Sequence, residues 1–153
     1  MLKEGDQAPD FKVLADDGQA VSLGDYRGKD LILYFYPKAN TPGCIHEANG
    51  FRNMIADFQA QNAAIAGVSA DTVEDQSKFS KQLGLNFPLL ADTEFKIIEP
   101  YGARRIKNFL GKRFMGIARM TFWIGPDGKI RKIWNNVTPK GHSGEVLAAL
   151  RGE

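Results

Sequence analysis

One cysteine in 153 residues, Cys44, excludes an internal disulfide framework, and with it the case for an oxidising compartment. Only two histidines occur, His46 and His142, neither with a second ligand at metal-binding spacing, so no metal is expected. No run approaches the roughly 18 apolar residues of a membrane span. Met1 to Asp6 lacks the apolar core of a leader, so the expectation is a cytoplasmic protein with no membrane partner. No G-x-G-x-x-G or P-loop pattern is present and no cofactor is expected. Charge of one sign is missing too: 20 basic against 18 acidic residues leave +2. The densest basic stretch, Arg104-Arg105-Ile106-Lys107 followed by Lys112-Arg113, is short and interrupted, which argues against nucleic acid and reads as solvated surface.

What is present suffices for a real core. The 43% hydrophobic content over this length fits a single domain spanning residues 1–153. Leu31 to Tyr36 is a continuous apolar and aromatic run, the pattern of a central strand covered on both faces. Ile45, Ala48, Phe51, Ile55 and Phe58 recur at spacings of three and four, predicting one helix, and Ala63 to Val68 returns as a strand. That β-α-β crossover is expected to be parallel. Asp71 or Thr72 caps a second predicted helix ending near Gly84. Phe87 to Leu90 reads as an edge or connecting strand because Pro88 cannot donate to a ladder, and a short helix is predicted over 94–99. Ile117 to Ile124 and Lys129 to Trp134 flank the turn Pro126-Asp127-Gly128 as an antiparallel hairpin, and Ser143 and Glu145 open a closing helix. Residues 102–116 read only as a loop with one short strand. The resulting class is α/β, a central mixed sheet flanked by helices on both faces.

Cys44 follows that first strand and stands at the entrance of the first helix, where unpaired N–H groups and partial positive charge favour a thiolate, the nucleophilic form. The bland alternative is an inert, buried small hydrophobe. Its neighbours decide. Pro37, Thr41 and Cys44 spell P-x-x-x-T-x-x-C, which resembles the peroxiredoxins. Tyr34-Phe35-Tyr36-Pro37-Lys38, Thr41-Pro42-Gly43-Cys44 and Gly116-Ile117-Ala118-Arg119 are similar to the bacterioferritin comigratory, or Q-type, branch, and the likeness runs over nearly the whole chain. It implies a thioredoxin-like fold and a thiol-dependent peroxidase, with thioredoxin, glutaredoxin with glutathione, or a small thiol as reductant. A monomer or weak homodimer is expected.

The residue types fit that chemistry. A thiolate attacks one peroxide oxygen, and the departing oxygen gathers charge that fixed donors must meet. Thr41 offers its hydroxyl to that spot, with an ordinary N-cap as its plainer role. Pro37 fixes the backbone beside the thiolate, or merely ends the strand. Arg119 reads as a cation within an apolar strand, on the face of Thr121 and Trp123, costly unless partnered. The resemblance makes that partner the Cys44 thiolate with its peroxide, and lets Glu47 hold Arg119 in place; otherwise Glu47 is a favourable charge in a first helical turn. Two departures stand out. Relatives carry a resolving cysteine five residues after the first or in the second helix, positions that hold Asn49 and Ser80 here, so the chain reads as a one-cysteine enzyme. Ile45 and Met120 replace the threonine and serine usual in the branch. Two rivals remain: a redox sensor that uses Cys44 without turnover, and a thiol–disulfide oxidoreductase, which the lack of C-x-x-C disfavours.

Overall fold

Every position from Leu31 to Phe35 is apolar because strand β3 (Asp30–Phe35) lies inside a sheet covered on both sides. The computed structural model describes residues 1–153. Strand β3 pairs in parallel with β4 (Ala63–Ser69) and antiparallel with β8 (Met120–Ile124), in a seven-stranded sheet ordered β2-β1-β5-β4-β3-β8-β9. The outer members are β1 (Lys12–Ala15), β2 (Ala20–Ser22), β5 (Leu89–Ala91) and β9 (Ile130–Trp134).

Alternation along β3 divides the interior into two cores. Ile32, Tyr34 and the following Tyr36 face helices α1 (Pro42–Asn53), α2 (Ile55–Ala60), α3 (Val73–Leu83) and α4 (His142–Leu150), which contribute Phe51, Phe58, Phe79 and Val146. Leu31, Leu33 and Phe35 face the other core with Phe11, Ile97, Ile98 and Tyr101, and a 3-10 turn at Leu23–Tyr26 adds Leu23 there. The arrangement is a thioredoxin-like α/β fold, as the sequence predicts. All four α-helices, however, pack on one face of the sheet rather than on both, and the other face is covered by the 3-10 turn and the turns through Ile97, Ile98 and Tyr101.

Several elements differ from their sequence reading. The helix predicted through Phe58 breaks at Met54 (φ −108°, ψ 10°), whose N–H turns back to Phe51; the redirected axis keeps both Phe51 and Phe58 fully buried. Strand β5 is interior, between β1 and β4, because Pro88 precedes it and needs no donor there: its carbonyl accepts from Gly67 N–H at 3.1 Å. The N-terminal hairpin β1–β2, unread in the sequence, covers that side. No helix forms over 94–99. Asp92, almost fully buried, instead accepts from the backbone N–H groups of Lys96, Ile97 and Ile98 at 2.7–2.8 Å, winding the segment into turns.

Residues 102–116, expected as a loop with one short strand, contain most of a separate antiparallel hairpin, β6 (Arg104–Phe109) and β7 (Lys112–Ile117). Ile117 thus ends β7, and β8 begins only at Met120. The link Ala118-Arg119 between them is not strand, so Arg119 does not sit within one as predicted. Glycines allow two close approaches: a Cβ on Gly50 would lie 2.6 Å from Ser143 Oγ where α4 meets α1, and one on Gly43 would lie 3.0 Å from Arg119 Nη2.

Candidate active site

Helix α1 starts as the sequence demands. Thr41 is its extended N-cap residue (φ −101°, ψ 151°), and Pro42 opens the helix where a missing N–H costs nothing. Cys44 falls in the first turn, almost fully buried. Thr41 does not cap with its side chain. Its hydroxyl donates to Lys38 O at 2.8 Å, leaving the oxygen free to accept from a visitor at the helix entrance.

Arg119 closes the other side. The Ala118-Arg119 link, tied by Val137 N–H to Arg119 O at 3.1 Å, delivers the guanidinium to α1. Its Nη2 donates to Cys44 Sγ at 3.6 Å and its Nη1 to Glu47 Oε1 at 2.8 Å. Glu47 lies three residues beyond Cys44, so the thiol and the carboxyl share a helix face and Arg119 bridges them. The pairing is uneven. Burial pushes the Glu47 carboxyl up to about 7, only partly opposed by Arg119, and its second oxygen has no hydrogen-bond partner. For Arg119, burial opposes the charge, but the attraction of Cys44 and Glu47 together outweighs it and raises its pKa. The Tyr34 hydroxyl, also buried without a partner, titrates well above its usual range, first through burial and then through Tyr36, Glu47 and Cys44.

Of the five candidate residues, Cys44, Glu47 and Arg119 are in direct contact, and Thr41 stands on the same helix entrance. Pro37 follows β3 and lines a cavity of about 250 Å³ with Phe95, Arg104 and Met115 on the hairpin side.

The sequence reading missed what holds the loop from Pro37 to Asn40. Ala39 N–H donates to Asp71 Oδ2 at 2.8 Å, which also accepts from Ser69 Oγ at 2.6 Å. Ser69 Oγ accepts from Gln76 Nε2 at 2.9 Å, and Gln76 Oε1 accepts from the Tyr36 hydroxyl. Asp71 therefore serves the loop rather than capping α3, where Thr72 accepts from Asp75 N–H at 3.1 Å. A signal existed: Gln76 interrupts the apolar stripe it shares with Phe79 and Leu83, and a buried amide must find partners. Thr121 and His142 form a second unpredicted pair, Oγ1 to Nε2 at 2.8 Å, packed against Phe51 and Trp134. Burial lowers the His142 pKa, against the pull of Glu145. No group of three or more potential metal ligands exists.

Comparison with known proteins bears on this arrangement. The AhpC/TSA family matches residues 4–133. Peroxiredoxin Bcp of Bacillus subtilis (strain 168) is 43% identical over 150 residues, covering 98% of this chain and 96% of that protein. Peroxiredoxin Bcp of Escherichia coli (strain K12) is 38% identical with the same coverage. Among solved structures, a cysteine-to-serine mutant of Xylella fastidiosa PrxQ superposes with a TM-score of 0.95 at 32% identity, covering 99% of this chain and 97% of that one. The Xanthomonas campestris bacterioferritin comigratory protein, described for its alkyl peroxide reduction, reaches 0.89 at 34% identity over 93% and 90% of the two chains.

Proposed function

We propose, from the premise that this chain belongs to the AhpC/TSA family in its Bcp peroxiredoxin branch, that Cys44 is the thiol through which it consumes peroxide. The chain is a thiol-dependent peroxidase, with a peroxide substrate and a thiol reductant. In the proposed cycle the Cys44 thiolate attacks the terminal oxygen of hydrogen peroxide or an alkyl hydroperoxide. A sulfur–oxygen bond forms and the O–O bond breaks. The departing hydroxide or alkoxide takes a proton and leaves as water or alcohol, with Cys44 as sulfenic acid. A reductant thiol displaces water to form a mixed disulfide, and a second thiol releases Cys44 and carries off the disulfide.

Arg119 stabilises both the thiolate and the charge on the parting oxygens, Thr41 presents its hydroxyl to the peroxide, and Glu47 positions Arg119. Pro37 fixes the loop beside them. The observation that carries this reading is the bridge of Arg119 from Cys44 at 3.6 Å to Glu47 at 2.8 Å. Thioredoxin, glutaredoxin with glutathione, or a small thiol serves as reductant to a cytoplasmic, single-domain protein that is a monomer or weak homodimer.

Mass spectrometry of Cys44 after one equivalent of peroxide tests the cycle. One added oxygen, removed again by thioredoxin or glutathione, is expected. Peroxide consumption with Cys44 unmodified throughout would overturn it. Slow oxidation without turnover would instead make the chain a sensor.

A further inference from the structure

The hairpin β6–β7 stands outside the seven-stranded sheet, and its chemistry is segregated from the rest of the chain. No acidic residue occurs between Glu99 and Asp127, whereas six cations do; with +2 overall, the other segments sum to −4. Lys107, Lys112 and Arg113 have no ion-pair partner, in contrast to Arg104, which pairs with Glu99 at 3.4 Å. Among these cations the hairpin exposes Ile106, Phe109, Leu110, Phe114 and Met115, at 48% to 87% of their surface. Isolated exposed apolar residues are ordinary, but five on one hairpin are a patch that needs a partner.

Register shows what kind. Ile106 pairs with Met115, which places both on one face, while Lys107 with Phe114 and Phe109 with Lys112 lie on the opposite face. Both faces are therefore apolar and cationic, and Leu110 crowns the tip. Leu110 holds a left-handed conformation (φ 52°) that turns normally assign to Asn or Gly. A large apolar side chain is kept at the most exposed point, at 87%, despite that strain. A rigid protein surface could cover only one of the two faces. A second copy would bring unpaired like charges together. A fluid, anionic medium suits both faces at once.

We propose that this hairpin docks the protein on anionic lipid bilayers, inserting Phe109 and Leu110 among the acyl chains while Lys107, Lys112 and Arg113 meet the headgroups. Such interfacial binding requires no spanning segment, so it stands beside the absence of any helix long and apolar enough to cross a membrane. Docked this way, the cleft of about 400 Å³ lined by Arg105, Lys107, Arg119 and Asn136 opens beside the headgroups.

Sedimentation of the intact protein with phosphatidylglycerol/phosphatidylethanolamine vesicles tests the proposal, with phosphatidylcholine vesicles as control. Binding to the anionic vesicles alone, weakened by salt, is expected. Partitioning should fall by about fivefold for each of Lys112→Ala and Arg113→Ala, and on the order of tenfold for Leu110→Ala. Hydrogen peroxide reduction in solution should be unchanged in all three, which also reports that they fold. Three results would overturn the proposal: no sedimentation with anionic vesicles at low salt, full retention of binding in a Phe109→Asp/Leu110→Asp double variant, or light scattering that shows a dimer dispersed by Leu110→Asp in a protein that ignores vesicles.

Discussion

Glu47→Gln keeps the shape of the side chain and removes its charge, and the effect should depend on pH in a direction set by burial. The carboxyl is raised from 4.5 to about 7 because desolvation outweighs the attraction of Arg119. The folded protein therefore binds a proton at Glu47 that the unfolded chain has already lost between pH 4.5 and 7, so this group makes stability fall as pH rises through that window. A displacement of that size corresponds to at most about 3 kcal/mol. Other ionisable groups contribute to the pH dependence of both proteins, so the quantity to measure is the difference between variant and wild type in urea unfolding from about pH 4.5 to 8. Glu47→Gln should gain relative stability across the window and level off above pH 7. Peroxide reduction provides the second readout. In the proposed role ionised Glu47 orients Arg119, so the wild-type rate should carry an acid limb near pH 7 that the variant lacks. A stability difference that is flat with pH would refute the raised carboxyl, and an unchanged rate profile would refute its positioning role.

Arg119→Lys retains charge but loses the fork that touches Cys44 and Glu47 together, and stopped-flow peroxide reduction should slow on the order of tenfold or more. Thr41→Val should produce a loss of about tenfold that Thr41→Ser largely restores, because the hydroxyl rather than the methyl is used; equal rates for both would remove Thr41 from the site. With no second thiol, Cys44 sulfenic acid has no internal exit, so excess peroxide should drive it to sulfinic acid with loss of activity over successive turnovers, read by intact mass. Ser80→Cys should protect by forming a disulfide with Cys44, which requires local opening of α3, where Ser80 is buried. A peptide map linking Cys44 to an Asn49→Cys variant but not to Ser80→Cys would place the resolving position at Asn49.

The central strand, the crossover and the thiol at the helix entrance were legible because each rests on local signals: an unbroken apolar run, a three-and-four spacing, a proline at the first helical position. Arg119 was identifiable as a cation in an apolar segment in want of a partner, yet its place was misjudged, since Ile117 and Met120 continue an apolar pattern straight across a link between two sheets. The helix predicted over 94–99 failed because one carboxylate, Asp92, supplies by side chain the contacts that helical carbonyls would have supplied. Composition could not reveal the hairpin β6–β7, whose alternation is blurred by having apolar and charged residues on both faces. The loop anchors were hidden for another reason. Ser69, Asp71 and Gln76 come from a strand end, a connection and a helix, and only the folded chain links them to Ala39.

That relay of side chains from Tyr36 through Gln76, Ser69 and Asp71 to Ala39 binds the loop before Cys44 to helix α3, so the two should open and close as one cooperative unit. The Ala39 amide, on a surface loop that would ordinarily exchange its hydrogen quickly, should exchange at the pace of the α3 backbone. Conditions that fray α3 would therefore loosen the approach to the thiol before the sheet beneath it registers any change.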